Sequence, residues 1–251
     1  MAAPLVEARH VRKLASEDRP ESVILDDINF TMREGEFVYV VGPSGCGKSM
    51  FLRLVAGLEA PSSGQVLFRG EPVLPEDSRI SMVFQNFALF PWMTVEENVG
   101  IGLESQGVPK KRRDESSKRM IEMVGLAGNE NAYPYELSGG MKQMVGVARA
   151  LAVNPVLMVM DEPYSALDPL TSEGLRNEIL RLWLSKEFPP EAVLAVGHNI
   201  EEAVMLADRV VVFTKRPAHI RETVEIGLPY PRNKNNRQVR KLIDRVYGLL
   251  T

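Results

Sequence analysis

The chain has 251 residues, 45% of them hydrophobic and 25% charged, a globular composition long enough for one large α/β domain with insertions. Thirty basic against 33 acidic residues give a net charge of −3, which argues against nucleic acid as a partner, and the single cysteine, Cys46, excludes an internal disulfide. Residues 1–10 lack the basic-then-apolar pattern of a secretory signal, and no apolar window reaches bilayer length, so a cytoplasmic protein is expected, meeting a membrane only through a partner.

In chain order, residues Leu5 to Leu14 alternate as a first strand and Ala15 to Ser22 read as a polar hairpin loop. Val23 to Phe30 returns as a second strand, and Arg33 to Glu36 turns the chain into Phe37–Val41, an apolar β-branched run suited to a buried parallel strand. Directly after it stands Gly42-Pro43-Ser44-Gly45-Cys46-Gly47-Lys48-Ser49-Met50, which reads G-x-x-x-x-G-K-S. A helical pattern from Phe51 follows and stops at Gly57. Strand, glycine loop and helix together specify a phosphate-binding loop. Its glycines admit a phosphate to backbone N–H groups, the helix N-terminus adds partial positive charge, and Lys48 brings an ammonium to the outer phosphates. Ser49 is placed to hold magnesium through its hydroxyl.

A short strand over Gln65 to Arg69 and another over Arg79 to Phe84 lead to Gln85 and then to Asn86–Trp92, a loop carrying Phe87, Phe90 and Trp92. Such a loop suits either a small core or a partner-docking surface. From Thr94 to Tyr135 the apolar spacing is helical, and the basic run Lys110–Arg113, answered at once by Asp114 and Glu115, reads as a solvated helix start. Leu137-Ser138-Gly139-Gly140-Met141-Lys142-Gln143 opens another helix, with Ser138 as cap and two glycines baring the positive end of the dipole. This is a second anion site in the same chain.

Val156 to Met160 is a buried strand that delivers Asp161 and Glu162. Paired acids at a strand end beside a phosphate loop suit magnesium chemistry, one orienting the metal and its neighbour polarising the attacking water. Ser165 to Asp168 turn into a helix from Leu170 to Leu184, and Ala192 to Gly197 is one more buried strand ending at His198, where a doubly wound sheet keeps its ligand-facing groups. The last segment, 233–251, sets Val239, Leu242, Ile243, Val246, Leu249 and Leu250 on one helical stripe among basic residues, a pattern expected to pack on the chain's own domain.

These motifs, in this order, resemble the nucleotide-binding subunit of an ATP-binding cassette transporter over about Leu5 to Arg232. The stretches Phe84 to Val99, Arg216-Pro217 and Leu228 to Arg232 are similar to those of bacterial nitrate, sulfonate and taurine importers. The resemblance implies an α/β P-loop NTPase fold: a RecA-like core with mainly parallel sheet and an antiparallel β lead-in (about 1–92 and 156–232), an inserted helical subdomain (about 93–155) and a C-terminal amphipathic helix (233–251). It implies a head-to-tail homodimer with ATP held between the phosphate loop of one copy and Ser138, Gly139 and Gly140 of the other. In that scheme Glu162 is the general base, His198 contacts the terminal phosphate and Asp168 links the two sites. Ser49, Gln85 and Asp161 attend Mg²⁺, and Gln85 also reports to the permease.

A transmembrane permease and, through it, a solute-binding protein are the implied partners, with the chain on the cytoplasmic face of the inner membrane as a peripheral subunit. Four positions depart from the family pattern: Leu14 stands where an aromatic residue usually stacks on adenine, Met50 follows Ser49, Met144 follows Gln143 and Asn199 follows His198. Three of them, Leu14, Met50 and Asn199, keep open a nucleotide-gated regulatory or assembly module with little turnover. An ATPase of a lipid-trafficking or export complex is a further reading, because no residue here touches the solute. A DNA-repair or translation ATPase would need a coiled-coil insertion or a second cassette, and the sequence has neither.

Overall fold

The computed structural model describes residues 3–16, 21–75, 77–185 and 190–250, so the middle of the expected 15–22 loop lies outside the described residues. The chain forms two compact units, residues 1–77 with 191–251, and residues 78–190. Residues 1–77 supply β1 (Val6–Leu14), β2 (Val23–Met32), β3 (Phe37–Val41), α1 (Lys48–Val55), β4 (Ser63–Phe68) and β5 (Glu71–Pro72). Residues 78–190 supply β6 (Ile80–Val83), α2 (Val95–Ser105), α3 (Lys110–Met123), α4 (Gly139–Ala152), β7 (Leu157–Asp161) and α5 (Pro169–Leu184). The first unit is completed by β8 (Ala192–Gly197), α6 (Ile200–Leu206), β9 (Arg209–Phe213), β10 (Ile220–Glu225) and α7 (Arg237–Leu250).

In the first unit the lead-in is an antiparallel sheet of order β2-β1-β4-β5, with Val6 opposite both Met32 and Phe68. Its two-residue last strand, β5, is too short to carry any alternation and has no signal in the sequence. The other sheet is built on β3, all five residues of which are buried, with β8 and β9 parallel on its two sides and β10 antiparallel beyond β9. Burial on both faces is why β3 and β8 read as unbroken apolar runs. Helix α1 closes over this core through Phe51, which meets Phe30 and Phe213 edge-on at centroid distances of 5.3 and 5.5 Å. Each such pair adds about 0.5–1.5 kcal/mol beyond area burial. Helix α7 buries Val239, Ile243 and Val246 and packs on α6, β9 and β10, as its stripe led one to expect.

In the second unit β6 and β7 pair in parallel, and α4 packs against β6 and against α2, α3 and α5. Val95, Val99 and Leu103 of α2 and Met120 and Ile121 of α3 form the buried face, and the segment expected as a helical insertion, 93–155, lies wholly within this unit. Gly100 has a packing reason: a Cβ there would stand 2.9 Å from Ser117 Oγ, so α2 and α3 approach closely only without it. The basic run opens α3 on the surface, with Lys110 paired to Asp114 at 2.9 Å and Arg113 to Glu104 at 3.2 Å. Among the described residues no helix is long and apolar enough to cross a membrane.

Candidate functional site

The phosphate loop leaves the carboxyl end of β3. Gly47 is the N-cap of α1 at φ +117, and a Cβ on it would lie 2.8 Å from both Ile24 and Leu25, so both conformation and space demand glycine. Gly45, at φ +73, has open space around it, whereas Gly42 is close-packed against Cys46 and Phe213. No side chain caps α1 and no acid stands in its first turn, which leaves the dipole's positive end for an anion. Lys48 is 5% exposed and donates to the carbonyls of Gly42 and Pro43 at 2.9 and 3.1 Å, so its ammonium is already folded over the loop. These features fit a nucleotide's phosphates. Cys46 is buried, and burial pushes its thiol pKa up, which suits a filler residue and not a redox group.

His198 comes to the same sheet end as the loop, because Val41 pairs with Gly197 in parallel register. Around it stand Tyr39 and Glu202, which the sequence did not single out, and Asn199, which it marked only as a departure. A Cβ on Gly197 would stand 2.3 Å from the Tyr39 hydroxyl, and that hydroxyl donates to Glu202 at 3.4 Å. Asn199 caps α6 by accepting from Glu202 N–H at 3.3 Å and donates to the Glu202 carboxylate at 3.1 Å. Asparagine in place of the family's usual Asp therefore keeps the cap and adds a donor that a carboxylate lacks. The other end of α6 is held by Arg232, which donates to Val204 and Ala207 carbonyls at 2.8 and 2.6 Å. Tyr230 Oη lies 2.7 Å from Leu206 O. A guanidinium at a helix C-terminus complements its dipole, and Arg232 also lies 4.1 Å over the Tyr230 ring.

In the second unit the register Val83 to Met160 brings Gln85 to the same end as Asp161 and Glu162. Asp161 is buried at the tip of β7, and Glu162 sits in left-handed backbone at φ +43, a conformation that costs a non-glycine residue about 1–2 kcal/mol. Gln85 Nε2 donates to Ser165 Oγ at 3.1 Å, and that hydroxyl donates to the Glu162 carbonyl at 2.9 Å. Asp168 caps α5 through Thr171 N–H at 3.0 Å, and its hydrogen bonding to Thr171 holds the carboxyl below its ordinary pKa.

Ser138 caps α4 by accepting from Met141 N–H at 3.3 Å. Cβ atoms on Gly139 and Gly140 would meet Leu167 at 2.9 Å and Thr171 at 2.6 Å, so the bare start of α4 is fitted against the segment around Asp168.

The aromatic loop proves to be more surface than core. Phe87 and Phe90 are half-buried, and Trp92 is 69% exposed with its ring 5.5 Å from that of Phe90. Its backbone is held from two sides. Asn98 of α2, fully buried, donates to the carbonyls of Phe90, Met93 and Thr94 and accepts from Phe90 N–H. Arg149 of α4 donates to the carbonyls of Ala88 and Phe87 at 2.6 and 3.0 Å. Asn98 carries a readable signal, a polar residue beside the apolar Val95 and Val99; Arg149 carries none.

For magnesium the candidates are a hydroxyl, an amide and a carboxylate (Ser49, Gln85 and Asp161), the hard oxygen donors such an ion takes. Among the described residues no group of three or more His, Cys, Asp or Glu is placed to hold a metal ion.

The family model described as ABC transporter matches residues 25–165. An uncharacterized ABC transporter ATP-binding protein of Methanocaldococcus jannaschii is 46% identical over 226 residues, covering 90% of this chain and 84% of that protein. The aliphatic sulfonates import ATP-binding protein SsuB of Bacillus thuringiensis subsp. konkukian is 38% identical over 241 residues, 96% of this chain and 94% of that one. Among solved structures, a dimeric ATP-binding cassette in a post-hydrolysis state, bound to ADP and Pi, matches with a TM-score of 0.75 at 29% identity over 89% of this chain and 100% of that chain. The chain therefore belongs to the ABC transporter family as an ATP-binding, ATP-hydrolysing subunit.

Proposed function

We propose that the chain powers an importer for a small anionic solute of the nitrate, sulfonate or taurine kind. It works as a head-to-tail homodimer on the cytoplasmic side of the membrane, docked on a permease that a solute-binding protein feeds. The observation that carries this reading is that two helices of one chain, α1 behind the phosphate loop and α4 behind Ser138, begin at glycines with no acid in their first turn, as a helix start that receives an anion requires. Likeness over nearly the whole chain to a sulfonate import protein supports the direction and solute class.

In this mechanism Gly42 to Ser49 wrap the phosphates with backbone N–H groups, and Lys48 neutralises the outer ones. Ser49, Gln85 and Asp161 would hold magnesium, which when bound would supply charge neutralisation on the phosphate oxygens. Glu162 accepts a proton from the attacking water, and His198 donates a hydrogen bond to the terminal phosphate. Ser138, Gly139 and Gly140 of the second copy close the other side, and Asp168 ties the two copies. Trp92 and its neighbours offer the permease a docking point, since a large apolar ring 69% exposed on a held backbone suits an interface anchor.

The test is purification of the tagged chain from its own cells in mild detergent, with uptake of labelled nitrate, sulfonate and taurine compared in cells that lack it. Recovery of a membrane permease and loss of uptake of one of these solutes is expected. An exporter-type partner, or unchanged uptake of all three, would contradict the assignment.

A further inference from the structure

Ser165 makes two side-chain hydrogen bonds although it is exposed and contributes nothing to the core. Its oxygen accepts from Gln85 Nε2, its hydroxyl donates to the carbonyl of Glu162, and its backbone N–H donates to that same carbonyl at 3.2 Å. Two donors on one carbonyl fix the peptide plane that follows Glu162, and this residue is the one held at φ +43. The direction of a side chain follows from its backbone dihedrals, so whatever fixes that plane also aims the Glu162 carboxylate. On its other side the chain of bonds continues. Gln85 begins the loop whose Phe87 and Ala88, at φ +62 and +48, turn their carbonyls to Arg149 of α4.

We propose that Ser165 is a positioning residue for ATP hydrolysis, its hydroxyl aiming Glu162 and tying it to Gln85 at the root of the aromatic loop. The inference rests on the reading of Glu162 as general base. A hydroxyl in this place does two jobs that neither alanine nor an apolar residue can do: it accepts from an amide and donates to a carbonyl at once. Threonine keeps both, and the exposure of the site leaves room for its methyl group.

The experiment uses the purified full chain, wild type beside Ser165→Ala, Ser165→Thr, Gln85→Ala, the Gln85→Ala/Ser165→Ala double variant and Glu162→Gln. Steady-state ATP hydrolysis, equilibrium binding of a fluorescent ATP analogue and thermal midpoints are measured for each. For Ser165→Ala, kcat should fall about tenfold, the equivalent of one ordinary hydrogen bond, with KM and analogue binding unchanged. Ser165→Thr should recover most of the rate. The double variant should lose less than the two single losses combined, because the two side chains share the Gln85–Ser165 bond.

A wild-type kcat in Ser165→Ala, a loss shared between kcat and KM, or an equal loss in Ser165→Thr would overturn the proposal. Additive losses in the double variant would overturn the link to Gln85. Failure of the underlying reading shows itself separately, as undiminished turnover in Glu162→Gln.

Discussion

Placing a methyl group at Gly197 should unseat the histidine beside it. The added Cβ would stand 2.3 Å from the Tyr39 hydroxyl and 3.1 Å from two of its ring carbons, well inside ordinary contact distance. Tyr39 is 1% exposed, so its ring has no open space to retreat into. Overpacking of this kind costs about 1–3 kcal/mol, and displacing the hydroxyl from Glu202 forfeits about 1 kcal/mol more. Gly197→Ala should therefore destabilise by about 3 kcal/mol and lower the thermal midpoint by about 6–12 °C for a chain of this size. Removing the hydroxyl alone, Tyr39→Phe, should cost about 1 kcal/mol. The double variant should cost about 1–2 kcal/mol less than the two singles added, because phenylalanine vacates the space the methyl needs. Denaturant unfolding followed by fluorescence, with thermal midpoints alongside, measures all three. A Gly197→Ala protein within about 0.5 kcal/mol of wild type, or strictly additive single costs, would refute the packing argument.

Asn98→Ala should cost about 2–4 kcal/mol, since it removes four side-chain hydrogen bonds to the loop backbone, two of them to Phe90 N–H and Met93 O, while Thr94 O and Phe90 O keep backbone donors, and in a Trp183→Phe background it should shift Trp92 emission relative to the same background; unchanged unfolding and emission would show that the loop is held otherwise. Asp168 has a carboxyl pKa below its ordinary value, so its contribution to stability is present above the unfolded pKa near 3.9 and is lost as pH falls through the lower folded value. The stability gap between wild type and Asp168→Ala should accordingly be constant from pH 7 to about 5 and close only in stronger acid; a gap that closes near neutrality would contradict the cap. Cys46, buried and with its thiol pKa raised, should resist a thiol reagent in the native protein and react as one thiol per chain in denaturant; rapid native labelling would return it to the reactive class.

What the sequence disclosed and what it hid follow one physical rule. The residues of the phosphate loop, of Leu137–Gln143 and of the β7 tip are each neighbours in the chain, so the geometry that phosphate and magnesium demand is written as local spacing. The Asn199–Glu202 cap is equally local, yet the sequence marked Asn199 only as a departure, and its capping role came from the hydrogen bonds. The bond between Gln85 and Ser165 joins residues 80 positions apart, and Arg149 reaches Phe87 across 62, so no pattern in the chain announces them. Backbone strain at Glu162 is equally silent, because glutamate before proline gives no sign of a positive φ. The locking of α6 by Tyr230 and Arg232 lay in a stretch notable only for its resemblance to importer subunits, and its physical role needed the fold.

The most direct test of the account is magnesium-dependent ATP hydrolysis measured over a range of protein concentrations, wild type beside Glu162→Gln. Specific activity should rise with concentration as the two half-sites meet, and Glu162→Gln should bind ATP normally while losing turnover by about 10²–10⁴-fold. Turnover in Glu162→Gln equal to wild type would contradict Glu162 as the base. Activity independent of concentration down to the lowest dilution would contradict a site completed by a second copy.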